Sequence, residues 1–255
     1  MSVSPKRELG QHFLADPNIL GVIGRLADLQ ADDVVLEVGA GLGVLTTYLA
    51  DRVSQVHAVE LDRSLEATLR TALGDRANVE LVLGDALRLP LHELDPPPGK
   101  LVANLPYQIA TPLVAESLDG LPTVRAWTVM VQREVADRFF AEPGTRAYGS
   151  VSVLIRLTAE RTGFHPVART VFRPPPNVDS ALVAFRRTRD WGPEFAPLKR
   201  VVQAAFAHRR KTLANSLALS GIDAGDAIAA LGLDPSVRAE ALEPERFLDL
   251  AEALG

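Results

Sequence analysis

A glycine-rich loop between an apolar strand and an apolar helix is the strongest constraint on the fold of this 255-residue chain. Residues 34–38 (VVLEV) form a nearly continuous β-branched run, which is typical of a strand buried in a parallel sheet. The run continues directly into residues 39–43 (GAGLG), and apolar residues then recur at helical spacing. A strand, a glycine loop and a helix in this order open a Rossmann-like unit.

Segments of strand and helix pattern alternate over about the first 185 residues, and the last two predicted strands cover residues 150–158 and 180–185. After Asp190 no strand pattern follows, and helices are predicted over 198–219 and within 223–254. The sequence therefore predicts an α/β fold, a Rossmann-like doubly wound sheet over residues 1–187. A small all-helical carboxyl-terminal domain is predicted over residues 188–255.

Two acidic residues stand at the predicted ends of neighbouring strands. Glu60 ends the second strand of the unit and follows Gly39 by 21 residues, a spacing at which an acid can bind ribose hydroxyls. Asp85 follows the third strand, immediately before Ala86, and its carboxylate can accept from an adenine amino group. Because the carboxyl ends of parallel strands share one edge of the sheet, these groups predict a nucleoside site there.

The glycine pattern distinguishes between two ligands that contain adenosine. Dehydrogenases carry G-x-G-x-x-G, whereas this chain has G-x-G-x-G, with Val44 in place of the third glycine. S-adenosylmethionine contains an adenosine and an amino acid but no phosphate, so it needs no pyrophosphate loop. Gly39 and Gly41 would then allow close approach of its methionine part, which favours this methyl donor over NAD.

Residues 104–107 (NLPY) follow the short apolar strand predicted at 100–103. Pro106 should end the strand, leaving the Asn104 amide, the Leu105 carbonyl and the Tyr107 ring at its carboxyl end. Two acceptors beside an aromatic face suit a planar amine such as the exocyclic amino group of adenine. The same residues are also common in simple strand-ending turns, so this motif alone leaves both interpretations open.

Charge and composition limit the setting in which the protein works. The chain has no cysteine, which excludes disulfides and thiolate metal sites, and it has no apolar run as long as a membrane span. A cytoplasmic, soluble protein is therefore expected. Although the net charge is −5, residues 161–211 contain 11 basic and only 3 acidic side chains. Arg209, Arg210 and Lys211 are the last basic residues of this block and are candidates for RNA phosphate contacts.

The chain resembles the ribosomal RNA adenine dimethyltransferases, most closely the members that modify small-subunit RNA. The matching blocks are LGQHFLADPNIL, LEVGAGLGVLT, VELD, GDAL, NLPYQIATPL, MVQREVADRF and VFRPPPNVDSAL, in the family's order over about residues 6–187. The resemblance implies a class I methyltransferase fold and S-adenosylmethionine as the cofactor, without a metal. It also implies dimethylation of two adjacent adenosines near the 3′ end of 16S rRNA in a small-subunit precursor.

The resemblance also implies roles for individual residues. The methyl-donor pocket would be formed by His12, Leu14, Gly39, Gly41, Glu60, Asp85, Ala86 and Asn104. The target adenine would lie against Asn104, Leu105 and Tyr107, with Phe172 on its other face. His12 departs from the family pattern, which usually has Asn there, so a side-chain contact at this position does not follow from the resemblance.

Two other functions compete with this one. Relatives that methylate 23S rRNA and confer macrolide resistance tend to have Ile and Phe in the four-residue motif, where this chain has Leu105 and Tyr107. A non-catalytic assembly factor could keep the fold, although the intact motif and Glu60 argue against lost catalysis. A monomer that binds 16S rRNA and no membrane is expected.

Overall fold

The computed structural model describes residues 5–6 and 11–255, so Leu9 and Gly10 of the first matching block lie outside the described residues. Nine strands lie at Phe13–Leu14 (β1), Val34–Val38 (β2), Gln55–Glu60 (β3), Val79–Leu83 (β4), Lys100–Asn104 (β5), Ala126–Gln132 (β6), Ala159–Val167 (β7), Phe172–Arg173 (β8) and Ser180–Arg187 (β9). Ten α-helices lie at Pro17–Leu26 (α1), Val44–Ala50 (α2), Glu66–Leu73 (α3), Ala110–Gly120 (α4), Arg133–Phe139 (α5), Ser150–Thr158 (α6), Phe195–Ala207 (α7), Leu213–Leu219 (α8), Gly225–Ala230 (α9) and Pro244–Leu254 (α10). These counts refer to the described residues.

Seven of the strands form one sheet in the order β4-β3-β2-β5-β6-β9-β7. The first five are parallel, and β9 is antiparallel to β6. The chain runs outward from β2 to β3 and β4, then returns to place β5 on the other side of β2. Ligands of open α/β sheets bind at such a switch point, at the carboxyl ends of the strands. The predicted α/β class with a doubly wound, Rossmann-like sheet is confirmed.

The central strands are apolar because both of their faces are covered. Val35, Leu36, Leu101 and Val102 are at most 1% exposed, which agrees with a parallel sheet packed between helices. Asn104, at the end of β5, lies opposite Met130 of β6. The pairing of β5 with β6 therefore fixes the position of Asn104 at the carboxyl edge of the sheet.

The chain forms two compact units. The first contains residues 1–136 and 161–187, and the second contains residues 137–160 and 188–255. The division predicted from the sequence, 1–187 and 188–255, differs from these units in one segment, since residues 137–160 pack with the carboxyl-terminal helices. That segment contains α6.

The strand predicted at residues 150–158 is wrong, because Ser150–Thr158 is helix α6. Seven of its nine residues are buried, so the helix has no broad exposed polar face that would distinguish it clearly from a strand. Its β-branched, alternating residues therefore fit a strand equally well. The backbone N–H of Gly149 donates to Ser152 Oγ at 3.1 Å, which caps the helix start. The strand nearest to this segment is β7, which begins directly after α6 at Ala159.

The single helix predicted over residues 198–219 is also wrong. Helix α7 ends at Ala207 and α8 begins at Leu213, because Thr212 caps α8 by accepting from the Asn215 N–H. The residues between them, 208–212, form a turn that contains Arg209, Arg210 and Lys211. These three basic residues are exposed and lie on this turn, here called the basic turn, instead of on a helix face.

Within residues 5–6 and 11–255, no helix is long and apolar enough to cross a membrane.

Candidate active site

A pocket lies at the carboxyl edge of the parallel strands, within the first compact unit. It is lined by all eight residues predicted to hold the methyl donor: His12, Leu14, Gly39, Gly41, Glu60, Asp85, Ala86 and Asn104. Leu105 and Tyr107 line the same pocket. The structure thus brings the donor residues and three of the four predicted target residues to one place.

The glycine loop forms the part of the pocket beside the four-residue motif. Gly39 has φ +85°, and a Cβ there would stand 3.0 Å from Cδ of Pro106. Gly41 has φ +58°, and its Cβ would stand 3.2 Å from the Phe13 ring. Both positions need glycine, since the backbone is left-handed and the space is already filled. The two glycines thereby let the loop after β2 approach the motif after β5.

Glu60 is almost completely buried and is held from two sides by backbone donors. Gly41 N–H donates to its Oε2 at 2.8 Å, and Asp62 N–H donates to its Oε1 at 2.8 Å. Each carboxylate oxygen can accept more than one hydrogen bond, so both keep acceptor capacity toward the pocket. A carboxylate fixed in this way can receive two neighbouring ribose hydroxyls without losing its own support.

Asp85 is more open, with 36% of its side chain exposed. Its Oδ1 accepts from the Leu87 N–H at 3.0 Å, and its Oδ2 lies 3.4 Å from Nε of Arg88. The carboxylate is therefore oriented by its own loop while still facing the pocket. This arrangement suits an acceptor for an adenine amino group.

Glu37 is a pocket residue that the sequence interpretation missed. It is 1% exposed, and burial, with a smaller contribution from the nearby Glu60 carboxylate, raises its pKa to about 8. Among the described residues, its Oε2 and the Thr46 hydroxyl oxygen are buried without a hydrogen bond of ordinary geometry, although Thr46 lies close enough to offset part of the rise in the Glu37 pKa. A charged residue inside an otherwise apolar strand was the available signal for a functional role.

The pocket chemistry fits S-adenosylmethionine. Three carboxyl side chains, Glu37, Glu60 and Asp85, line it, whereas none of the described residues lining it is Lys or Arg. The negative charges of a dinucleotide pyrophosphate would be repelled by the Glu60 and Asp85 carboxylates, whereas a sulfonium and an ammonium group would be attracted by them. The buried Glu37 Oε2, which has no hydrogen bond of ordinary geometry among the described residues, also leaves a polar position that a ligand can fill.

The amide of Asn104 is oriented by the amino-terminal segment. Its Nδ2 donates to the backbone oxygen of His12 at 3.4 Å, which leaves Oδ1 as an acceptor for a ligand. Leu105 N–H donates to the Met130 oxygen at 3.0 Å, which fixes the adjoining peptide. The strand end therefore offers a side-chain acceptor next to a backbone carbonyl.

Tyr107 and His12 supply the aromatic part of the site. The Tyr107 hydroxyl lies 2.7 Å from Ser180 Oγ, and the rings of Tyr107 and His12 have centroids 5.7 Å apart. Burial raises the pKa of Tyr107, and the Ser180 hydrogen bond offsets this only in part, so the phenol stays neutral. His12 Nδ1 lies 2.8 Å from the Pro174 oxygen, which can only accept, so Nδ1 carries the hydrogen.

Phe172 is not brought to the pocket. It is 1% exposed, pairs with Leu14 between β8 and β1, and belongs to the hydrophobic core of its unit. Its ring is therefore not accessible for stacking on a base in this structure. The proline-rich residues that follow it, 174–176, are typical of a loop, but burial of a large aromatic side chain is strongly favourable.

The basic residues predicted to contact RNA lie in the second unit. Arg209 Nη2 donates to the backbone oxygens of Arg146 and Tyr148, both at 3.1 Å, so this side chain is partly engaged within the protein. Arg210 and Lys211 are both exposed. The described part of the chain contains no group of three or more His, Asp or Glu side chains arranged to hold a metal ion.

Comparisons with known proteins identify the family of the chain. The family model of the ribosomal RNA adenine dimethylases matches residues 3–255. The small-subunit methyltransferase A of Rubrobacter xylanophilus is 46% identical over 96% of this chain and 94% of its own length. The corresponding protein of Thermobifida fusca is 45% identical over 99% of this chain and 91% of its own.

Two solved structures have the same fold. A dimethyladenosine transferase from Plasmodium falciparum superposes with a TM-score of 0.76 at 24% identity, covering 94% of this chain and 96% of that one. The 23S rRNA methyltransferase ErmE gives a TM-score of 0.67 at 30% identity, covering 95% and 99%. The chain belongs to the ribosomal RNA adenine dimethylase family, whose enzymes take methyl groups from S-adenosylmethionine.

Proposed function

We propose that the protein transfers methyl groups from S-adenosylmethionine to the exocyclic amines of two adjacent adenosines near the 3′ end of 16S rRNA, during small-subunit biogenesis. The observation that carries this proposal is the Asn104 amide. Its nitrogen is occupied by the His12 oxygen, so its free Oδ1 stands beside the Leu105 carbonyl in the pocket that also contains Glu60 and Asp85.

In this reaction the protein has to orient the adenine amine relative to the methyl group of the donor. S-adenosylmethionine, when bound, supplies a methyl group on a positively charged sulfur that needs no further activation. An adenine amine is a poor nucleophile because its lone pair is delocalised into the ring. Asn104 Oδ1 and the Leu105 carbonyl would hold its two hydrogens and favour a pyramidal nitrogen with an available lone pair. The same dipoles stabilise the positive charge that develops on nitrogen.

The remaining residues of the site hold the base and leave room for a second transfer. The Tyr107 ring, fixed through Ser180, offers a face on which an extruded adenine can stack. After the first methylation the amine keeps one hydrogen for two acceptors, so the base must rotate between transfers. The proton lost from nitrogen passes to water, since no buried base is required.

The choice of the small-subunit RNA rests on the relatives. Those at 45–46% identity are named as small-subunit methyltransferases, whereas the 23S methyltransferase ErmE is 30% identical. Leu105 and Tyr107 also differ from the residues typical of the 23S group. Every residue lining the pocket comes from the first unit, and we propose that the protein acts as a monomer. We propose the cytoplasm as its place of action.

The test offers labelled S-adenosylmethionine with small-subunit and large-subunit precursors in separate reactions, followed by mapping of the modified base. We expect label only in small-subunit RNA, on two adjacent adenosines near the 3′ end. Label on 23S RNA would favour the resistance-type activity instead. A folded protein that binds the small-subunit particle but transfers no methyl group would support a binding-only assembly factor.

The basic turn gives a second prediction. Replacing Arg210 and Lys211 by Gln should weaken binding to the small-subunit particle and make it less dependent on salt. Each lost phosphate contact should reduce the slope of log affinity against log salt by about one, so the pair should reduce it by about two. The slope is measured by filter binding between low and physiological salt.

Two exposed arginines of the first unit provide the matched control for this pair. Arg25 and Arg70 lie on α1 and α3, and replacing both by Gln removes the same charge. The control should keep the parental salt slope. Equal slopes for the parental protein and the Arg210→Gln, Lys211→Gln variant would mean that the basic turn is only a solvated surface.

A further inference from the structure

Asp62 is a buried carboxylate in the loop that follows β3. Only 3% of its side chain is exposed. It follows Glu60 by two residues, and its own N–H supports the Glu60 carboxylate. Burial alone would raise its pKa, but hydrogen bonds from Lys6, Ser64 and Gln11 hold that pKa well below the ordinary range.

Part of this environment is an ordinary cap. Ser64 donates to Asp62 Oδ1 from its N–H at 3.0 Å and from its hydroxyl at 2.6 Å, and the short 3-10 turn at residues 63–65 starts there. A cap needs nothing more than these two donors. The other donors to Asp62 therefore require a different explanation.

Those donors come from the amino-terminal segment, more than fifty positions away. Lys6 Nζ lies 2.7 Å from Asp62 Oδ1, and Gln11 Nε2 donates to Oδ2 at 2.9 Å. Gln11 Oε1 in turn accepts from the Lys6 backbone N–H at 2.8 Å. Asp62, Lys6 and Gln11 thus form a closed ring of hydrogen bonds, here called the Asp62 ring.

The residues that follow the Asp62 ring form one wall of the donor pocket. His12, Phe13 and Leu14 line it, and the Phe13 ring limits the space at Gly41. The backbone oxygen of His12 also receives the Asn104 amide. Asp62 therefore binds the amino-terminal segment through its side-chain carboxylate, and it binds the Glu60 carboxylate through its backbone N–H.

We propose that Asp62 is a positioning residue for methyl-donor binding, because it ties the amino-terminal wall of the pocket to the loop that carries Glu60. This role rests on the proposed function, since it concerns the same donor pocket. Asp62 does not line that pocket, so it acts through Glu60, His12 and Phe13.

The test uses the full chain and measures S-adenosylmethionine affinity by calorimetric titration. Asp62→Asn keeps an oxygen for Ser64 but turns an amide N–H₂ toward the Gln11 donor. Lys6→Met removes the cation, whose side chain is 40% exposed and does not line the pocket. Each variant should weaken donor affinity by about tenfold, and the double variant by about tenfold as well, because both break one unit.

A second measurement needs no donor. Amide hydrogen exchange over residues 11–15 should be faster in both single variants than in the parental protein, because this segment has lost hydrogen bonds of the Asp62 ring. Asp51→Asn is the matched control, because Asp51 forms a surface ion pair with Arg76 away from the pocket. It should change neither donor affinity nor exchange in this segment.

The possible outcomes separate this inference from the proposed function. If the parental protein binds the donor and both Asp62→Asn and Lys6→Met bind it equally well, the role of Asp62 is overturned while the function stands. A folded parental protein without donor affinity would overturn both. If Asp62→Asn melts below the assay temperature, Lys6→Met decides alone, since its side chain lies outside the core. A hundredfold loss in the double variant would mean two independent contacts and would also contradict the Asp62 ring.

Discussion

Replacing Asn104 by Ala is expected to slow single-turnover methyl transfer by about 10²-fold or more at saturating donor and RNA. The change removes the Oδ1 acceptor on which the amine would pyramidalise, and losing one such preorganised dipole typically costs this much in rate. Affinity for the RNA particle should barely change, because phosphate contacts dominate it. Rapid-quench measurement of methyl transfer, with circular dichroism to confirm folding, gives the result.

Two further variants define what the loss at Asn104 means. Asn18→Ala, an exposed position at the start of α1, should transfer methyl groups at the parental rate. Tyr107→Ala should cost about 1–3 kcal/mol of stacking, so it should weaken capture of the target base. A folded Asn104→Ala protein with the parental rate would contradict the proposed mechanism.

Replacing Glu60 by Ala is expected to weaken S-adenosylmethionine binding by about 2–4 kcal/mol, or roughly 30- to 1,000-fold. The carboxylate would lose its hydrogen bonds to the ribose hydroxyls. The backbone N–H groups of Gly41 and Asp62, which now donate to this carboxylate, would also lose their acceptor, and the glycine loop would be held less firmly. Calorimetric titration of the donor measures the effect, and RNA binding should survive.

A conservative change at Glu60, with a control at Glu66, separates the contribution of the Glu60 charge to donor binding from that of its size. Glu60→Gln keeps the volume and one acceptor, but its amide N–H₂ must face a backbone N–H, so an intermediate loss is expected. Glu66→Gln, at the partly exposed start of α3, removes a carboxylate that pairs with Arg70 on the surface. It should bind the donor normally. Unchanged donor affinity in Glu60→Ala would remove Glu60 from the site.

The fold class and most of the pocket could be predicted from the sequence because both depend on local patterns. A buried parallel strand is apolar along its whole length, as in residues 34–38, and a polar residue at its end is conspicuous. Since all parallel strands end at one edge, Glu60, Asp85 and Asn104 had to converge once the strands were recognised. The structure brings these three residues into one pocket.

Local patterns failed where burial removes the periodic signal or hides a side chain. The residues of α6 are buried on nearly every side, so their alternation could not distinguish a helix from a strand. The break between α7 and α8 depends on the Thr212 cap. The sequence signal of this cap is weaker than that of the apolar spacing around it. Phe172 had the sequence context of a loop, yet its ring packs in the core.

Long-range polar contacts were the other features that only the tertiary structure decided. Glu37 gains its raised pKa from complete burial, and Tyr107 is fixed by Ser180, 73 residues later. Asp62 meets Lys6 and Gln11 across more than fifty residues. A sequence shows which strand ends carry polar groups, because strand patterns are local. Only the packed chain shows which distant donors satisfy those groups, since each buried polar atom takes whichever partner the fold brings within reach.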